Sequence, residues 1–152
     1  MKEQIKKLLL TLKCIYVVFW TIPVWFVALY ETGVFTKGIH AGNAQMEYIL
    51  QSVGILLTIG LIPFALRIFN LNLVKRIKEY PLERALASYK LWSDVRLFLL
   101  AVSAILNFSF YYLTLNTTGL FCGAMAMLAS LFCVPSESRI HNELDLPEEI
   151  NK

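Results

Sequence analysis

Charged residues are scarce in this chain of 152 residues, making up 16% of it where soluble proteins carry about 25%. Hydrophobic residues make up 57%, against about 45–50% in soluble proteins. The charged residues are also unevenly placed, because only Lys13 falls within any of four long apolar runs. This distribution excludes an ordinary soluble domain and indicates a protein that folds in a membrane.

Cysteine is scarce as well, and the three cysteines form no CxxC pair. An odd number of cysteines in apolar surroundings argues against a disulfide framework, so we interpret Cys14, Cys122 and Cys133 as reduced packing residues. The sequence also lacks a recognisable nucleophile–base pair, metal-ligand cluster or nucleotide-binding motif. We therefore expect a non-enzymatic protein with no catalytic residue, no metal and no cofactor.

The four apolar runs contain no aspartate, glutamate, histidine or arginine. Such a residue in mid-membrane is the usual mark of a proton relay, a proton-coupled transporter or a voltage sensor. Its absence weakens the hypothesis of a transporter.

The runs cover residues 8–30, 48–66, 97–115 and 118–134. At 1.5 Å per residue, helices of these lengths extend roughly 25–34 Å, which matches a hydrocarbon core about 30 Å thick. A helix also satisfies its own backbone hydrogen bonds in lipid. We predict one all-α domain over residues 1–152, a four-helix transmembrane bundle.

The basic residues predict the orientation of this bundle. Of the 14 Lys and Arg residues, all but Lys37 fall on connections that would lie on one side of the membrane. The positive-inside rule assigns that side to the cytoplasm. We expect an integral protein of the cytoplasmic (plasma) membrane with both termini inside the cell.

The connection over residues 67–96 sets apolar residues among basic ones at helical spacing. Pro81 suits the first turn of a new helix, so we predict a basic cytoplasmic helical hairpin that extends spans two and three. Six of its basic residues are candidate contacts for anionic lipid headgroups: Arg67, Lys75, Arg76, Lys78, Lys90 and Arg96. The alternative is that they only set the topology.

Uncharged polar residues recur on one face of span two, at Gln51 and Thr58, and on one face of span three, at Ser103 and Asn107. An amide or hydroxyl in hydrocarbon seeks a partner, so these residues predict interhelical hydrogen bonds of about 0.6–2 kcal/mol each. The alternative is a polar path for a small substrate.

The fourth run carries small residues at Gly119, Gly123 and Ala126. Small side chains let helix backbones approach closely. These residues therefore predict either the central helix of a monomer or the contact between two copies.

The tail over residues 135–152 is acidic. Ser136 is a candidate N-cap, and Glu137 suits the first turn of a short helix. The tail either docks on the basic hairpin or stays solvated.

These features favour a scaffold, regulatory or accessory membrane protein that acts through helix contacts in the bilayer and a basic cytoplasmic surface. Its expected partners are membrane lipid and a membrane protein or a second copy of the chain. We expect no nucleic acid partner, because the basic residues sit beside apolar runs and form no free basic domain. The alternative is a small oligomeric transporter or channel that uses the polar faces of spans two and three.

Overall fold

The computed structural model describes residues 2–75 and 79–144, and for residues 72–75 the backbone alone. The described residues form helices and no strand, which confirms the all-helical prediction. The helices are α1 (Lys2–Glu31), α2 (Ala44–Lys75), α3 (Leu82–Thr114), α4 (Thr117–Leu131) and α5 (Glu137–Glu143). Three of them, α1, α2 and α3, are long and apolar enough to cross a membrane.

The helix α4 is apolar but shorter than its predicted run. Its 15 residues extend about 22 Å, which is less than the hydrocarbon core of about 30 Å. The helix ends at Leu131 because the amides of Phe132 and Cys133 bond carbonyls only three residues back, at Ala129 and Ser130. This tightened turn takes up the rest of the predicted run, so hydropathy alone overestimated the length of the helix.

The helices α2 and α3 continue beyond the predicted apolar runs. Helix α2 extends to Lys75, and Pro81 occupies the N-cap position of α3 with φ −54°. A proline fits there because the first amides of a helix have no intrahelical acceptor. Arg76 and Lys78 lie outside the described residues, whereas the predicted break near Tyr80 falls just before the start of α3 at Leu82.

The helix α3 is the centre of the fold and packs against α1, α2 and α4. Helix α2 also packs against α4, and α5 contacts α1. Buried residues of α3 recur at intervals of three or four, as expected for a helix with one continuous face in the interior. They include Leu86, Tyr89, Ser93, Arg96, Leu100, Ser103, Asn107 and Phe108.

The end of α3 is closed by the loop that joins α1 to α2. The amide of Gly38 donates to the carbonyl of Tyr112 over 2.8 Å, and that of His40 donates to Leu113 over 3.1 Å. Leu115 then turns the chain in a left-handed conformation with φ 55°. Asn116 caps α4 by accepting from the amide of Thr118 over 3.1 Å. These contacts satisfy backbone groups that the helix ends leave free.

The cysteines are all free thiols, and two of them pack as predicted. Cys122 and Cys133 are buried, whereas Cys14 is exposed on α1. The interpretation of Cys14 as a packing residue is therefore wrong. It lies beside Lys13 on an exposed part of α1.

Candidate functional site

The polar residues of α2 and α3 meet in a buried set of contacts that we call the polar seam, formed by Gly54, Thr58, Ser103 and Asn107. The Asn107 amide Nδ2 donates to Thr58 Oγ1 over 3.0 Å and to the Ser103 carbonyl over 2.8 Å. Thr58 in turn donates its hydroxyl proton to the Gly54 carbonyl over 2.8 Å. The structure thus places three predicted polar residues, Thr58, Ser103 and Asn107, at one interhelical contact.

Gly54 makes the seam possible because a side chain there would collide with Asn107. A Cβ atom built on Gly54 would lie 2.6 Å from Asn107 Oδ1. The sequence places Gly54 on the same face of the second run as Gln51 and Thr58, but it does not show that Asn107 is the neighbour. A small residue one helical turn before Thr58 opens space for a polar partner.

Two polar atoms of the seam have no partner within the described part of the chain, namely Asn107 Oδ1 and Ser103 Oγ. The fourth predicted polar residue, Gln51, lines a void of about 10 Å³ beside Gly54 and Asn107. A volume of this size accommodates about one water molecule. The polar faces of α2 and α3 are therefore packed together around a very small space.

The small residues of α4 face α3 inside the molecule. A Cβ on Gly119 would lie 2.6 Å from the Asn107 carbonyl oxygen, and one on Gly123 would lie 2.8 Å from the Phe108 ring. Ala126 is fully buried and packs with Ala104 and Phe108. These positions hold the backbones of α3 and α4 close together.

The basic candidates for lipid contact differ in their surroundings. Arg67 is exposed and Lys90 is half-buried. Arg96 is only 6% exposed, and its guanidinium carbon lies 3.9 Å from the centre of the Phe69 ring. Its Nε has no hydrogen-bond partner in the described ranges. Arg96 is thus a buried cation–π contact between α2 and α3, while the side chain of Lys75 is outside the described part.

An apolar core, which we call the basal cluster, lies at one end of the fold. It is formed by the start of α1, the end of α2, the start of α3 and the helix α5. Its buried members are Ile5, Leu8, Leu12, Phe69, Ala85, Leu86, Tyr89, Ile140 and Leu144. The Tyr89 hydroxyl donates to Glu143 Oε2 over 2.7 Å. The described part of the tail therefore docks through apolar side chains and one hydrogen bond.

The tail prediction located the helix but missed the residues that dock it. Ser136 occupies the N-cap position of α5 but makes no side-chain capping bond. Ile140 is fully buried and Leu144 nearly so, although acidic charge was the expected attraction. Their spacing of four, on one face of a short helix, was the signal for an apolar contact. Residues 145–152 lie outside the described part.

Acidic and histidine side chains form no candidate metal centre among the residues that the structure describes. Glu31 instead bonds Lys37 over 2.8 Å and accepts from the Tyr112 hydroxyl over 3.2 Å. Tyr112 stacks on Tyr30 with ring centres 4.4 Å apart, which joins α1 to α3 at this end. Comparison of the chain with protein-family models, with curated proteins and with solved structures finds no match.

Proposed function

We propose that the protein is a non-enzymatic scaffold or accessory protein of the membrane, a four-helix bundle that holds a basic layer at the cytoplasmic face. The observation that carries this proposal is the polar seam. The side chains of Asn107 and Thr58 bond each other across α3 and α2, and the void beside them has room for about one water molecule. Packing of this kind suits a rigid support better than a path for a solute.

The basal cluster supports the second half of the proposal. It joins the beginning of α1 to α5, since Ile5 of α1 and Ile140 of α5 belong to the same core. Both ends of the described chain therefore lie at one end of the bundle. This arrangement is what four crossings with both termini in the cytoplasm require, and the basic residues of the sequence lie mainly at that end.

The surface over the basal cluster, which we call the basal layer, carries exposed basic residues, among them Lys2, Lys6, Lys7 and Arg84. A rigid surface of this charge suits anionic headgroups and an acidic region of a membrane-protein partner. Because the apolar residues beneath are buried together, the basic residues are held on a fixed framework and not on a flexible loop.

The proposal is tested first by flux. Purified protein in proteoliposomes should release neither potassium ions nor a small trapped dye faster than liposomes without protein. Release by the wild type that disappears in Asn107→Leu would establish a transporter or channel that uses the polar faces of α2 and α3. That result would overturn the scaffold proposal.

A second test addresses the basic surface directly. Chemical cross-linking in native membranes should join the protein to a membrane-protein partner in one discrete adduct. The double variant Lys6→Glu with Lys7→Glu should abolish this adduct. Lys37→Glu is the matched control, because it makes the same kind of charge change at the opposite end of the bundle. Loss of the adduct in both variants, or in neither, would argue against a partner at the basal layer.

A further inference from the structure

A small void lies where α1, α3 and the segment after α4 meet. Its volume is about 10 Å³, which is room for about one water molecule. Three residues of α3 and one cysteine give it a partly polar wall, namely Tyr89, Ser93, Arg96 and Cys133. The polar seam and its own void lie around Asn107, so this void is a separate feature.

A buried positive charge forms one side of the void. Arg96 is only 6% exposed, and its guanidinium carbon lies 3.9 Å from the centre of the Phe69 ring. The ring covers a face of the guanidinium, whereas the N–H groups lie in the plane of the group and need acceptors there. A charge withdrawn from water in this way is costly unless an opposite charge lies close to it.

The acidic side chains of this region do not balance the charge of Arg96. The Glu143 carboxylate is 3.3 Å from Arg139 Nε and accepts from the Tyr89 hydroxyl, so it is already paired. Asp94 precedes Arg96 by two positions on α3 and therefore points to another side of the helix. Within the described ranges no ion pair joins Arg96 to a carboxylate. One positive charge beside the void is thus left over.

A second hydrogen-bond donor stands beside this charge. Ser93 precedes Arg96 by one helical turn, lines the same void and is 4% exposed. Its hydroxyl can rotate to donate into the void. A water molecule there would accept hydrogen bonds but leave the charge unbalanced. A halide of nearly the same size accepts the same bonds and also supplies the opposite charge.

We infer that this void binds one chloride ion, held by the guanidinium of Arg96 and the hydroxyl of Ser93. Leu12 of α1 and Pro135 after α4 line the same void, so the ion stabilises the contact of both segments with α3. The inference concerns the interior of the protein and does not depend on its placement in a membrane. Its failure would leave the scaffold proposal standing.

The test is thermal unfolding of the purified protein in a mild detergent, with sodium chloride or sodium gluconate at equal ionic strength. An ion that binds only the folded protein raises the unfolding temperature as its concentration increases. We expect a rise of about 3–5 °C for each ten-fold increase in chloride above the dissociation constant. Bromide should replace chloride, whereas gluconate is too large for the void. Equal unfolding temperatures in chloride and gluconate would mean that the void holds water alone, and would overturn the inference.

Three variants assign the effect to this void. Arg96→Met keeps the length of the side chain and its apolar contact with Phe69, and it should abolish the dependence on chloride. Ser93→Ala removes one donor to the ion, so about ten-fold more chloride should be needed for the same rise in unfolding temperature. Ser103→Ala is the matched control, because it changes a buried serine of the same helix that does not line this void.

The serine pair keeps the test decisive if Arg96→Met does not fold. An unchanged chloride response in Ser93→Ala would contradict the inference, and so would an equal loss of the response in Ser103→Ala. A folded Arg96→Met protein that still responds to chloride as the wild type does would also overturn it.

Discussion

At the scale of single residues, the glycines of the helices differ sharply in what surrounds them. A Cβ on Gly119 would meet backbone atoms of α3, with the Asn107 oxygen at 2.6 Å and the Tyr111 nitrogen at 2.8 Å. A Cβ on Gly60 would meet nothing within 4 Å. The same chemical change therefore tests close packing at one position and open space at the other.

We expect Gly119→Ala to destabilise the protein by about 1–3 kcal/mol, because two helix backbones must move apart to admit the methyl group. Gly60→Ala should leave stability unchanged or raise it slightly, since alanine favours the helix. Thermal unfolding in a mild detergent measures both. Equal unfolding temperatures for Gly119→Ala and the wild type would show that α4 does not approach α3 as closely as the structure has it.

The polar seam gives a second prediction at this scale. Asn107→Ala and Thr58→Ala each break the 3.0 Å bond between the two side chains, so the double variant should lose less stability than the sum of the single variants. The coupling expected for such a pair within a membrane is about 0.6 kcal/mol and at most about 1.7 kcal/mol. Additive effects in a double-mutant cycle would mean that the amide and the hydroxyl are not partners.

The sequence predicted that the polar residues of the seam form interhelical hydrogen bonds, but it did not predict which residues pair. Helical spacing shows which face of its helix carries Thr58 or Asn107. It does not show how the two helices are rotated relative to each other, and that rotation decides which side chains meet. Arg96 shows the same limit. Its charge indicated a surface contact, and only the position of Phe69 on a neighbouring helix makes it a buried one.

At the scale of elements, α5 is the clearest case in which tertiary contacts decide the role of a segment. A helix of 7 residues is too short to be stable alone, so its order depends on docking. The composition shows that the tail is acidic, and capping preferences predicted that its short helix begins after Ser136. The docking itself depends on Ile140 and on a surface built from three other helices, which local sequence does not reveal.

We expect Ile140→Ala to weaken the docking of α5 by about 2–5 kcal/mol, because it empties a fully buried site in the basal cluster. Hydrogen–deuterium exchange should then become faster at the start of α3, near Leu86 and Tyr89. Ser138→Ala on the exposed face of the same helix should change nothing. Equal exchange in both variants would mean that α5 does not hold the basal cluster together.

At the scale of the whole molecule, hydropathy predicted four membrane crossings, and three of the described helices are long and apolar enough to make one. The runs that became α1, α2 and α3 are long enough to span a membrane, whereas α4 extends only about 22 Å. A short helix can cross if the bilayer thins locally. The proposed four crossings account for the shared core of Ile5 and Ile140, because both ends of the described chain then lie at the same end of the bundle.

Single cysteines in a cysteine-free background test this crossing. Lys37→Cys should react with a membrane-impermeant maleimide in intact cells, while Lys6→Cys and Ser138→Cys should react only after permeabilisation. All three residues are exposed in the structure, so access to the reagent depends on the side of the membrane alone. If Ser138→Cys reacts in intact cells together with Lys37→Cys, α4 does not cross. The protein would then have three spans with the basal cluster disrupted, because α5 and the start of α1 would be on opposite sides of the bilayer.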